Sequence, residues 1–310
     1  MNREWLRAHK TPIKNALWAF VRFLLLVGLS FVIIYPFLAK VSSMFMSTAD
    51  LRDNTVWFIP RRPTLLNIRN VLYYGDYWHA LRNTGLLSGL CALLQTASCT
   101  VIAYGLAKFR FRGRNLLLVL TVLTIVIPPQ TIYISLYTKF RYFDVWGLLS
   151  LLGLTPLNLT ESVTPMAILS ATGLGLKNGL YILMLMQLFR NLPHSLSEAA
   201  YVDGAGVMRT FWQINMPQAR PMMVSVFMLS FAWQWTDTFY SDLFFRQVPL
   251  LKNTLTAVST VTAIGAVNGN ALSGTLKNTA VILAILPLLA VYLFGQRFLI
   301  QGVERTGMVG

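Results

Sequence analysis

At 310 residues, 55% hydrophobic and only 12% charged, with a mean hydropathy of +0.57, the chain is too apolar for a soluble domain, which carries about 25% charge. Its formal net charge of +15 points to loop charge that orients a membrane protein. It does not point to nucleic acid, since no basic stretch outside the apolar runs is interleaved with base-stacking aromatics.

Residues 1–22 form a polar, basic tail with Arg3, Arg7, Lys10, Lys14 and Arg22. The first apolar run covers 23–38 and reaches 46 if Lys40 snorkels. Its basic lead is long and no small-residue cleavage site follows, so it reads as an uncleaved span. A loop over 47–83 carries Pro60 and Pro63. Further spans are expected at about 84–107, 116–137, 163–189, 221–244 and 276–298. Each approaches the ~20 residues that cross ~30 Å of hydrocarbon. Pro128 and Pro129 kink the third, and Gly173, Gly175, Lys177 and Gly179 interrupt the fourth. Residues 300–310 form a C-terminal tail. The expectation is an all-α polytopic membrane protein, with a permease domain over 23–299.

Six spans place both termini on one side. With the N-terminus inside, fourteen lysines and arginines fall on the cytoplasmic side against ten outside, over fewer residues. The bias favours cytoplasmic termini. Residues 192–220 are then cytoplasmic. There Ser195 and Glu198 have capping-box spacing, which predicts a short helix over 196–202. Asp203, Gly204, Ala205 and Gly206 break it. A second short helix is expected from Val207 to about Asn215, ended by Pro217, with Pro221 opening the next span. The segment is a helix–turn–helix with aromatics on its surface.

Catalytic chemistry is not visible. The three histidines are scattered, with no metal-ligand spacing, and no G-x-x-x-x-G-K-[ST] binds a nucleotide. Cys91 and Cys99 lie about 12 Å apart along one helix, too far for a disulfide, and read as small packing residues. Any active transport must draw energy from a partner or an ion gradient. An ion-coupled carrier would need mid-membrane carboxylates. The only acid well inside an expected span is Asp237, in the outer part of the fifth. It reads equally as a polar contact on a substrate path, with Gln234 and Tyr240, or as an interfacial packing residue. Trp233, Trp235 and Tyr240 read as belt or packing residues, with stacking on a sugar ring as the alternative.

The sequence E-A-A-Y-V-D-G-A at 198–205, with Pro217 downstream, resembles the E-A-A-x-x-x-G loop of permease subunits of binding-protein-dependent ABC importers. The preceding N-L-P resembles the carbohydrate, maltose-type branch. P-T-L-L-N at 63–67, A-Y-G-L-A-K-F-R-F-R-G at 103–113, I-P-P-Q at 127–130 and Q-R-F-L-I-Q-G at 296–302 extend the likeness in the family's order. The resemblance implies a type I ABC importer permease fold, six transmembrane helices and a cytoplasmic coupling helix that docks on an ATPase. Glu198, Ala199, Ala200 and Gly204 match the motif; Asp203, Phe211 and Pro217 complete the expected coupling segment. Gln130, Gln234, Asp237 and Tyr240 are the candidates for the substrate path. W-T-D-T-F at 235–239 departs from the family's W-N-x-F. The implied cargo is a sugar or oligosaccharide, with a permease for a non-sugar solute, an ion-coupled carrier or a membrane scaffold as alternatives. The implied partners are a second homologous permease, an ABC ATPase dimer that uses ATP and Mg2+, an extracytoplasmic solute-binding protein and membrane lipid. No cofactor, metal or nucleic acid is expected on this chain.

Overall fold

The computed structural model describes residues 3–145, 147–254 and 269–307. Among them the fold is helical, without a strand and with one isolated bridge, Phe143 to Leu157. The helices are α1 (Arg3–Met44), α2 (Thr48–Arg52), α3 (Leu66–Tyr74), α4 (Tyr77–Lys108), α5 (Arg114–Val126), α6 (Tyr133–Arg141) and α7 (Leu148–Leu151). Then come α8 (Thr164–Ala171), α9 (Asn178–Asn191), α10 (His194–Val202), α11 (Val207–Thr210), α12 (Met216–Trp235), α13 (Phe239–Phe244) and α14 (Gly269–Gly307).

Of the described residues, 3–75 and 269–283 form one compact unit, and 76–254 and 284–307 form another. In the first unit, Ser47 caps α2 by accepting from the Asp50 N–H at 3.1 Å. Buried Asn67 donates to the carbonyls of Met44 and Met46, at 3.1 and 2.8 Å. That satisfies the open end of α1, where the last carbonyls lack intrahelical partners. Leu26, Phe31 and Val32 of α1 are each more than half exposed, as expected for a segment whose solvent is lipid.

The second unit is built on α4, which packs against α8, α9 and α12. Cys99, Ala103, Tyr181, Leu185, Phe189, Met222 and Val226 form one core. Leu87, Cys91, Phe140, Met166, Leu243 and Phe244 form a second. Both cysteines are buried and free, in keeping with a packing role. Small residues of α4, Cys99 and Ala103, sit in the first core and let the helices approach, the usual device where lipid removes the hydrophobic drive between helices.

The helices Lys14–Met44, Tyr77–Lys108 and Leu272–Leu299 are long and apolar enough to cross a membrane. Arg114–Val126 and Pro129–Arg141 are a fourth candidate, bent by 96° at the two prolines. Pro128 pushes Ile127 out of the helical region to ψ 119°, and a short 3-10 turn, Pro129–Ile132, starts the return.

Two expected spans take another form. The run at 163–189 is two helices, α8 and α9, parted by Gly173 at φ +78° and Lys177 at φ 62°. The run expected at 221–244 starts earlier and stops earlier: α12 begins at Met216 and ends at Trp235. Pro217 therefore opens this helix and does not end the preceding one, because a first-turn residue has no intrahelical N–H bond to lose. Pro221 lies inside α12. The five residues before α12, Phe211–Asn215, form a π turn that joins α11 to it. Thr236 closes the other end, its hydroxyl donating to the Ala232 carbonyl at 3.0 Å.

Candidate functional site

The helical hairpin after α9 ends in a well-formed cap. The Gly204 N–H donates to the Tyr201 carbonyl at 3.1 Å and the Ala205 N–H to the Ala200 carbonyl at 2.8 Å. These are the two bonds of a Schellman motif. The motif needs a left-handed residue, and Gly204 supplies it at φ +79°. Gly206 stands at φ −72°, a value open to any residue. Asp203 is the C-cap, its N–H bonded to the Ala199 carbonyl at 3.0 Å. The capping box expected at the other end is absent: α10 starts at His194 with Pro193 as N-cap and no side-chain bond. Pro193 sets the entry angle, so the Ser195 side chain has no open N-cap position to fill.

The hairpin has two faces. Ala200 and Phe211 are buried. The Phe211 ring lies 4.6 Å from the Tyr104 ring, and Tyr104 also meets Phe189 at 5.4 Å and Phe109 at 5.7 Å. These rings tie the hairpin to the ends of α4 and α9. Buried Asn215 donates to the Thr210 carbonyl at 3.3 Å inside the π turn, and the Thr210 hydroxyl to the Gly206 carbonyl at 3.1 Å. The other face carries Tyr201, Val202, Met208 and Trp212, all exposed, with Val202 at 87%. Glu198 and Ala199 are exposed beside them. Phe211 thus belongs to the anchor and not to the exposed face, and Pro217 is half-buried in the first turn of α12. Tyr104, Phe189 and Asn215 are anchor residues that the motif reading passed over. Tyr104 lies in the 103–113 stretch, but its role depends on contacts far along the chain.

The substrate-path candidates are dispersed. Tyr240 is buried and lines a cavity of about 540 Å3, with Pro128, Pro129, Lys177 and Asn178. Gln130 is exposed in the turn that follows Pro129. Gln234 is 2% exposed, and neither its amide nitrogen nor its oxygen has a partner. Asp237 lies beyond the end of α12. It works as a cap for α13, accepting from the N–H groups of Tyr240 and Ser241 at 3.3 and 2.8 Å and from the Ser241 hydroxyl at 3.0 Å. A helix end replaces the continuous span expected there. The polar groups that meet at the α8–α9 break were not singled out from sequence. Gln95 of α4 bonds the Ser230 hydroxyl of α12 and reaches the Leu176 carbonyl at 3.4 Å. A side chain at Gly175 would stand 2.6 Å from the Gln95 amide and 3.1 Å from the Ser170 backbone, so the break is closed only because that residue has no Cβ. Among the described residues no group of histidine, cysteine and acidic side chains could hold a metal ion.

Residues 99–305 match the family described as "Binding-protein-dependent transport system inner membrane component". Protein LplC of Bacillus subtilis is 24% identical over 293 residues, 90% of each chain. The arabinooligosaccharides transport system permease protein AraQ of Halalkalibacterium halodurans is 23% identical, covering 91% of this chain and 93% of its own. The sn-glycerol-3-phosphate transport system permease protein UgpE of Yersinia pestis is 23% identical, covering 94% and 97%. Among solved structures, a chain of a bacterial ABC transporter involved in the import of the acidic polysaccharide alginate superposes with a TM-score of 0.69 at 19% identity, covering 92% of this chain and 97% of that one. The last comparison establishes the type I importer permease fold, and the hairpin at 194–212 falls within the matched family region. The chain belongs to the binding-protein-dependent transport system inner membrane components: it is a multi-pass inner-membrane permease subunit, a transport component and not an enzyme.

Proposed function

We propose that this permease moves a sugar or oligosaccharide, delivered by a solute-binding protein, through a complex with a second homologous permease and two ABC ATPase subunits. The observation that carries the reading is the two-faced hairpin. Its buried side is locked to α4 and α9 through Phe211 and Tyr104. Its other side offers Tyr201, Val202, Met208 and Trp212 to a groove, in the manner of an amphipathic helix seeking a partner. A push on the exposed face is transmitted to the spans as a rigid-body movement. ATP and Mg2+ are bound by the ATPases and no cofactor by this chain. The bias of basic residues supports a cytoplasmic hairpin and cytoplasmic termini.

The cargo class rests on relatives: one is named for arabinooligosaccharides and one structural neighbour for alginate. A structure of the same transporter class includes an alginate pentasaccharide-bound periplasmic protein, which supports delivery by a binding protein. The rival, an ion-coupled carrier, is weakened by Asp237, whose oxygens are occupied with capping α13. Purification in mild detergent tests the reading. Co-purifying ATPase chains and vanadate-sensitive saccharide uptake are expected. Uptake that follows a proton or sodium gradient and ignores vanadate would favour the carrier.

A further inference from the structure

We infer that the cargo of this permease is an anionic saccharide, and that Lys177 and Trp233 form a contact site for it beside the cavity at the α8–α9 break. The inference rests on the saccharide-permease reading above and narrows it. Lys177 occupies a left-handed position, φ 62°, immediately before α9. The 14 residues of α9 place it roughly 21 Å from the hairpin end of that helix, within a hydrocarbon layer of about 30 Å. Its ammonium lies 4.9 Å from the centroid of the Trp233 ring, which is 46% exposed. Both residues are accessible, and Lys177 lines the 540 Å3 cavity together with Tyr240 and Asn178. The Asn178 side-chain oxygen is buried and has no partner. A cavity of this volume is in the range of small-molecule sites.

A cation at this depth is expensive unless it is paired or functional. Lys177 has no carboxylate partner among the described residues. Acids of the same unit are committed elsewhere. Asp237 caps α13, Asp242 pairs with Lys252, and Asp144 accepts from the Leu149 and Ser150 N–H groups at 2.8 and 3.2 Å. Glu161 accepts from the Arg246 and Gln247 N–H groups, both at 3.1 Å. The consequence is repeated on α6 and the 245–248 segment, where Arg246 stands 5.5 Å from the Tyr137 ring and Arg141 donates to the Tyr137 hydroxyl at 3.4 Å. A ring face stacks on the apolar face of a pyranose, and the Lys177 cation at the Trp233 ring selects a sugar that carries a carboxylate or phosphate.

The test uses the complete complex, with its binding protein, in proteoliposomes. ATP-driven uptake is measured for trigalacturonate, glucose 6-phosphate and neutral maltotriose. The wild type is expected to take up one of the two anionic probes, which tells the carboxylate from the phosphate. Lys177→Gln should raise the half-saturation concentration for that probe about tenfold or more, the loss of a charge-assisted contact. Lys177→Arg should restore most of it, while both variants assemble with the ATPase. Uptake of maltotriose alone, or of an anionic probe unchanged by Lys177→Gln, would overturn the inference and leave the permease reading standing. An equal loss for anionic and neutral probes would overturn it too, by marking Lys177 as structural or lipid-facing. Failure of all three probes with an assembled complex would overturn both readings.

Discussion

Replacing Gly204 by valine isolates the backbone requirement of the hairpin. An ideal Cβ at this position meets nothing within 4 Å, so no steric clash with the rest of the chain enters. The cost is that of holding an L-residue at φ +79°, about 1–2 kcal/mol, and β-branching adds to it. If the hairpin escapes by unwinding, it loses the two Schellman bonds to Tyr201 and Ala200. Either way, the docking-competent hairpin becomes less populated by about tenfold for each 1.4 kcal/mol. The anchor through Phe211 and Tyr104 lies outside the turn, so insertion and the thermal midpoint in detergent should change little. Vanadate-sensitive uptake and ATPase co-purification should fall together by about tenfold. Gly206→Ala is the control: Gly206 has φ −72° and equally open surroundings, and the variant should retain both readouts. Wild-type transport by Gly204→Val, or equal damage from Gly206→Ala, would refute the reasoning.

Three further outcomes are expected. Phe211→Ala removes a ring buried against Tyr104 and should destabilise the permease by about 3–5 kcal/mol, whereas Trp212→Ala, at an exposed ring, should leave the thermal midpoint in place and weaken ATPase co-purification. Gln234→Leu exchanges an amide with no partner for an apolar side chain of similar size and should stabilise by about 1–3 kcal/mol; a lower thermal midpoint instead would mean that the amide is satisfied in the assembled transporter. Asp237→Ala should cost about 0.5–2 kcal/mol as the loss of a helix cap, and Asp237→Asn, which keeps an acceptor oxygen, should retain most of the stability; equal loss in both would show that the charge matters beyond the cap.

The hairpin is legible in the sequence because its determinants are local. Gly204 marks a left-handed turn wherever it falls after a helical run, and prolines flank the segment. Its direction was not legible. Phe211 and Trp212 are adjacent aromatics, and nothing local says which is buried. Tyr104 decides, from more than a hundred residues earlier. The same gap explains Ser195 and Pro217. Capping-box spacing and a proline are each compatible with two roles, and the choice depended on where the preceding helix ended.

Composition and hydropathy determined by themselves that this chain lives in a bilayer, because apolar runs of span length are insoluble otherwise. Motif order pointed to the importer permeases, and local turn chemistry located the 194–212 hairpin. Tertiary structure decided what no local signal carries: that α8 and α9 part at a polar junction closed by Gln95 and Ser230, that Asp237 caps a helix and does not sit within one, and that Lys177 meets Trp233 across separate helices. Hydropathy averages over a window and reports the medium around a segment. Breaks, caps and cation–ring pairs depend on single residues and on partners distant in the chain, so they appear only when the helices pack.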